Sequence, residues 1–166
     1  NPARVQACAI GASREENARL MAGVYASRGL SALVFRGTNS GLDELTTTDA
    51  NQVWIVSGGT VTPTEFDARE SLGMASASIE DLAGGEASEN AAVARDVLSG
   101  GGADAVRDAV ALNVGAGILA WEGLENPVTE ADFEQRMRGA VERALVALTD
   151  GVGARLVERW VAVSNA

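Results

Sequence analysis

Histidine and lysine are both missing from the 166 residues, and all 13 basic side chains are arginines. Without histidine the chain can build neither a Ser–His or Cys–His nucleophile system nor a histidine-ligated metal centre. Without lysine it lacks a Schiff-base amine and the lysine of a phosphate-binding P-loop. The single cysteine, Cys8, rules out an intrachain disulfide and fits a cytoplasmic setting. In the apolar stretch ACAI it reads as a buried structural thiol. No apolar run reaches the length of a membrane span: AVALNVGAGILAW, residues 109–121, is the most apolar, and Asn113 interrupts it. The start, NPARVQACAIGA, has no signal-peptide pattern and no initiator methionine, so the chain reads as a fragment or a processed product. Basic groups are also scarce relative to the 23 acidic ones, and the net charge is −10. Such a surface repels phosphate backbones and argues against nucleic-acid binding.

What is present is carboxylate in quantity, and carboxylates can hold magnesium. A bound Mg2+ reverses the local field, so an acidic chain can still accept a phosphorylated small molecule.

The length fits one domain, and the 46% hydrophobic content is enough for a sizeable core. VQACAIGA reads as a strand. SREENARLMAGVYASRG reads as a helix with Ser13 and Glu16 at capping-box spacing, an apolar stripe of Leu20, Met21, Val24 and Tyr25, and Gly29 at its end. SALVFRG supplies a second strand, so residues 5–37 make a βαβ unit with parallel strands. VWIVSGGTVT reads as a β-hairpin turning at SGG, and the stretch from Phe66 to Gly85 as irregular with one short helical turn at most.

GGEASENAAVARDVLSG is a helix with Val93, Val97 and Leu98 on one face; Glu86 at its start favours an ordinary capped helix over a phosphate cradle. The following helix carries Gly115 and Gly117, each costing about 1 kcal/mol relative to alanine, which points to close approach of another backbone. TEADFEQRMRGAVERALVAL is amphipathic through Phe133, Met137, Val141, Leu145 and Leu148, with Glu134, Arg138 and Glu142 spaced for pairing on a solvated face. A last helix carries Leu156, Val157, Trp160 and Val161, and Trp54, Trp121 and Trp160 all read as core. The expected class is α/β, a parallel-type sheet with flanking helices.

One stretch stands apart. GLDELTTT, residues 41–48, sets Asp43 beside Glu44 in the loop after the second strand. Adjacent like charges repel, so the pair is either a solvated turn or the holder of a shared cation, magnesium. Ligands of parallel sheets gather at the carboxyl ends of strands, where this loop lies.

Several pieces, in order, resemble the C-terminal half of the anthranilate phosphoribosyltransferase (TrpD) family: NPA at Asn1–Ala3, like the tail of its GPLTNPA segment; GLDELTTT, like its acidic DE motif; AGGEASENAA, like its GG…ENAA motif; and VRDAVALNVGAGI, like its late glycine- and alanine-rich helix. The resemblance runs nearly end to end. It implies that residues 1–166 are the C-terminal part of a larger α/β domain of the nucleoside phosphorylase/phosphoribosyltransferase-like fold. It also implies transfer of phosphoribose from phosphoribosyl pyrophosphate to anthranilate, with pyrophosphate released, in tryptophan biosynthesis.

Asp43 and Glu44 match the carboxylates that bind pyrophosphate-associated Mg2+ in that family. The family's glycine-rich phosphoribosyl loop, KHGN segment and anthranilate-contacting arginine lie upstream and are absent, so the fragment alone is expected to be inactive and to bind magnesium weakly. Arg36 stands where the family commonly has histidine, and the loop is one residue longer near Ser40. The complete enzyme is expected to be a cytoplasmic homodimer with no membrane or nucleic-acid partner, and the half-enzyme to expose apolar surface. Two alternatives share the architecture: a nucleic-acid-binding TrpD-like paralogue, which should carry a basic groove, and a pyrimidine nucleoside phosphorylase, which should cleave thymidine with phosphate.

Overall fold

The computed structural model describes residues 4–166, so the Asn1–Ala3 part of the resemblance lies outside the described residues. Strand β1 (Ala7–Gly11), helix α1 (Glu15–Ser27) and strand β2 (Ser31–Gly37) form the expected βαβ unit, with Ala7 opposite Ser31 and Gly11 opposite Phe35 in parallel register. Strands β3 (Asn51–Ser57) and β4 (Thr60–Phe66) are the expected hairpin, and β3 pairs antiparallel with β2. The sheet, in order β1-β2-β3-β4, is therefore mixed, and its parallel pairing is confined to β1 and β2.

The alternation of β2 and β3 sends residues to two cores. Leu33, Phe35, Val53 and Ile55 face one side; Ala32, Val34, Trp54 and Val56 face the other. Residues buried on both faces of a strand give a continuous apolar run rather than an alternating one, which is how SALVF and VWIV read. Helix α1 covers the second face with Ala18 and Ala22, flanked by Met21 and Tyr25. Its apolar stripe is thus displaced from the expected one: Leu20 and Val24 point outward, and small alanines sit where the helix meets the sheet. The Ser13–Glu16 capping box does not form, because the helix begins a residue later with Arg14 at its N-cap.

The first face is covered by α4 (Asp104–Glu122) and α5 (Glu130–Thr149), joined to the sheet by α2 (Ala68–Leu72), a 3-10 turn (Glu80–Leu82) and α3 (Ala87–Leu98). Helix α5 buries Phe133, Met137, Ala140, Val141, Ala144 and Leu148, close to its predicted stripe, and Phe133 meets Phe66 edge-on with ring centroids 5.6 Å apart. On its outer side Glu134 and Arg138 do not pair with each other. Both grip α2 at Ser71 instead: Ser71 Oγ donates to Glu134 Oε1 at 2.9 Å, and the Arg138 guanidinium donates to the Ser71 carbonyl.

The final helix, α6 (Val152–Ser164), touches α3 and α5 and buries none of its residues. Trp54 is in the core as expected, but Trp121 and Trp160 are 67% and 71% exposed. Trp121 follows the buried Leu119–Ala120 edge of α4 by one step around the helix, and the part of α6 against Leu98 is Gly153 rather than the tryptophan. Apolar patterning identified both helices without showing which arc would find a neighbour.

The two glycines of α4 behave differently. A Cβ on Gly115 would stand 2.7 Å from Val141 Cγ2 and 3.2 Å from the Val141 backbone nitrogen, the close helix approach expected, whereas one on Gly117 would meet nothing within 4 Å. Gly115→Ala should lower the urea midpoint, overpacking costing about 1–3 kcal/mol. Gly117→Ala should raise it by up to about 1 kcal/mol through helix propensity. Equal shifts of the same sign would contradict the α4–α5 contact.

Candidate metal centre

The loop between β2 and β3 leaves from the same edge of the sheet as the turn after β1, because those two strands are parallel. Asp43 and Glu44 are exposed at its crest, while Leu45, Thr46 and Thr47 directly after them are buried. The threonine run is therefore foundation rather than polar surface.

A buried loop backbone must find partners for its peptide groups. Thr46 N–H donates to Asn51 Oδ1 at 3.3 Å, and Asn51 Nδ2 returns a bond to the Thr46 carbonyl at 3.0 Å. Leu45 is paired in the same double fashion with Asn113 of α4: its N–H donates to Oδ1 at 3.1 Å, and Nδ2 donates to its carbonyl at 2.9 Å. Asp49 closes the other limb, accepting from the Asn39 and Ser40 backbone N–H groups at 2.6 and 2.9 Å and from the Ser40 and Thr48 hydroxyls at 3.0 and 3.2 Å. Asn39 and Ser40 are thus locked in place by Asp49.

Arg36 braces the loop's base. Its guanidinium donates to the Ser13 and Thr38 carbonyls, each at 3.2 Å, and to Gln52 Oε1 at 2.8 Å, tying the β1–α1 turn to β3. Gly11, at the end of β1, lies directly against the Asp43 peptide; any Cβ there would overlap the Asp43 carbonyl oxygen and carbon.

Among the described residues no ion pair involves Asp43 or Glu44. One side of Glu44 borders a cleft of about 580 Å³ lined by Leu42, Leu82, Val106, Val110 and Asn113. Loss of solvent there, and then the Asp43 charge, hold the Glu44 carboxyl above its ordinary pKa. Both effects are relieved by a cation. The oxygen-only donor set is the kind magnesium prefers, and among the described residues no cluster of three or more acidic or cysteine ligands offers it a complete protein cage. Two carboxylates, with water or phosphate oxygens as the remaining ligands, fit magnesium.

The glycine pair Gly84–Gly85 gives the contrasting result. The Gly85 N–H is taken by Asn90 Oδ1 and the Glu86 N–H by Glu89 Oε2, each at 2.8 Å, so the start of α3 is an ordinary capped one.

Comparison with known proteins identifies this architecture. The family model described as "Glycosyl transferase family, a/b domain" matches residues 1–154. The chain belongs to this glycosyl transferase family, matching its a/b domain. This a/b domain is 48% identical over 165 residues to an anthranilate phosphoribosyltransferase of Arthrobacter sp. (strain FB24), matching 99% of the chain and 45% of the relative. It is 44% identical to that of Nocardia farcinica (strain IFM 10152), matching 99% of the chain and 47% of the relative. It therefore spans about half the length of the curated relatives it matches. The structure superposes on the anthranilate phosphoribosyltransferase (TrpD) of Thermus thermophilus with a TM-score of 0.76 at 33% identity, covering 94% of this chain and 42% of that one. The Saccharomyces cerevisiae enzyme in complex with PRPP and Mg shares the fold at 20% identity, with a TM-score of 0.77, covering 95% of this chain and 43% of that one.

In this a/b domain, sequence reasoning located the two carboxylates and missed their supports. Gly11 and Asp49 carry no local signal. Asn113 does carry one, a polar residue inside the most apolar run of the chain, which patterning registers only as an interruption.

Burial works to raise the Asp49 pKa, but the hydrogen bonds from Ser40, Asn39 and Thr48 outweigh it and hold the carboxyl below the usual aspartate range. A depressed folded pKa means that this contribution to stability is complete above about pH 4, the unfolded value, and is lost as pH falls through the folded one. Asp49→Ala should cost about 1–3 kcal/mol at neutral pH, with a smaller difference from the unsubstituted chain in acid, measured by urea unfolding at each pH. A deficit that grows on acidification would contradict the clamp.

Proposed function

We propose that the chain supplies the magnesium-binding side of an anthranilate phosphoribosyltransferase, with Asp43 and Glu44 as the protein ligands of Mg2+. The observation that carries this reading is the exposed Asp43–Glu44 pair after β2, without an ion-pair partner among the described residues, in a chain 48% identical to a named anthranilate phosphoribosyltransferase. An enzyme of the same fold in complex with PRPP and Mg adds support.

In this reading the substrates of the whole protein are phosphoribosyl pyrophosphate and anthranilate. Bound at the pair, magnesium supplies positive charge where the leaving pyrophosphate gains negative charge as its bond to the anomeric carbon breaks. The residues around the pair perform a different task. Arg36, Asp49, Asn51 and Asn113 hold the loop before substrate arrives, so little ordering remains when it binds. The groups that contact the ribose and the anthranilate belong to the half of the relatives that this chain does not match. A homodimeric, cytoplasmic complete enzyme belongs to the same reading, supported by the family resemblance and by the single cysteine. The names of the matched relatives favour the transferase over a nucleic-acid-binding paralogue or a phosphorylase.

The test follows the fluorescence of anthranilate with phosphoribosyl pyrophosphate and magnesium, comparing this chain alone with the chain joined to its upstream half. Fluorescence should fall, with matching pyrophosphate release, only in the joined protein. Asp43→Ala with Glu44→Ala in that protein should lower turnover by at least about a hundredfold, the scale of losing a group that stabilises developing charge. An unchanged rate and magnesium dependence would sink the assignment.

A further inference from the structure

We propose that Asn113 is a positioning residue for the metal centre: through Leu45, its carboxamide ties the β2–β3 loop to α4 and fixes the height and direction at which that loop presents the Asp43–Glu44 pair. The inference rests on the magnesium reading above.

Asn113 is an expensive residue where it stands. It lies in the most apolar helix of the chain, and asparagine favours neither a helix interior nor an apolar environment. Its hydrogen-bonding groups are nevertheless well matched. Oδ1 accepts the Leu45 N–H at 3.1 Å; Nδ2 donates to the Leu45 carbonyl at 2.9 Å and to the Ala109 carbonyl, one turn back in its own helix, at 2.8 Å. A primary amide reproduces the donor–acceptor pair of a peptide group, so asparagine joins the loop to the helix much as one strand joins another. Serine is too short to span both Leu45 groups, aspartate has no donor for two carbonyls, and leucine offers neither function.

The attachment falls on the residue immediately after Glu44, and Leu45 is itself 1% exposed, so it cannot shift without opening the core. Glu44 and Asn113 both line the same cleft. Helix α4 is in turn held by β1, β2 and α5, including the Gly115–Val141 approach two residues beyond Asn113. The helix, the amide and the loop thus form one rigid path from the packed core to the carboxylates. Groups that orient metal ligands without touching the metal typically contribute a 10- to 100-fold effect on affinity.

The experiment uses the joined protein, with Mn2+ as the probe and inorganic pyrophosphate at saturation, and reads bound Mn2+ by electron paramagnetic resonance. Asn113→Leu and Asn113→Ala remove the amide without adding charge; leucine keeps the branched shape and alanine avoids overpacking, so one can preserve the fold where the other does not. Thr129→Ala is the control, since it removes the N-cap of α5 and costs folding stability away from the loop. The expected result is about a tenfold rise in half-saturating Mn2+ for the Asn113 variants and none for Thr129→Ala. An unchanged value in a folded Asn113 variant, or an equal rise in the Thr129→Ala control, overturns the positioning role. If the Glu44→Gln variant binds Mn2+ as the unsubstituted protein does, the magnesium reading itself fails and takes this inference with it.

Discussion

Burial of the Leu45–Thr47 backbone is the constraint on which the rest of the site depends. Three consecutive peptide units are taken out of water beneath two exposed carboxylates, and unpaired groups there would cost a few kcal/mol between them. The chain meets that demand from several directions. Asn51 reaches from the start of β3 to Thr46, Asn113 reaches from α4 to Leu45, and the Thr47 carbonyl accepts the Ala77 N–H at 3.3 Å. Gly11 allows the crest of the loop to lie against the end of β1. The flexible-looking stretch between two strands is therefore tied to the sheet, to the helix layer and to the segment before the 3-10 turn.

That rigidity explains how an acidic protein sustains two more negative charges side by side. Repulsion between Asp43 and Glu44 could be relieved by splaying the loop, but Arg36 and Asp49 hold its limbs and the buried threonines hold its base. The Glu44 carboxyl is held above its ordinary pKa by loss of solvent first and by the Asp43 charge second, and a divalent cation relieves both. With a net charge of −10 the surface repels phosphate at long range, so attraction for the phosphorylated substrate of the proposed function would have to be created locally. In the proposed function a magnesium ion arriving with pyrophosphate would do this without any basic side chain, consistent with a chain that contains no lysine or histidine and commits Arg36 to structure.

Much of the fold was legible in the sequence because its signals are local. Continuous apolar strands, an SGG turn and the 3.6-residue stripe of α5 each decide an element by themselves. The mixed character of the sheet was not legible, since the sense of β3 against β2 is set by how a 13-residue loop folds back. Nor was the exposure of Trp121 and Trp160, which depends on which arc of a helix meets a neighbour. The carboxylate pair was visible as two adjacent letters. Its supports were not, because Gly11, Asp49 and Asn113 act across 32, 10 and 68 positions of sequence on Asp43, Asn39 and Leu45. Gly115 betrays its close approach because glycine is out of place inside a helix, whereas Gly11, at a strand end, carries no such sign.

The most direct measurement is Mn2+-induced broadening of backbone amide resonances in the 15N-labelled chain, titrated with pyrophosphate present. A preset metal platform predicts that Asp43, Glu44 and their immediate neighbours broaden first, at Mn2+ levels that leave other acidic stretches such as Glu86–Glu89 untouched. Broadening that begins at those other stretches, or spreads evenly over the acidic surface, would contradict it.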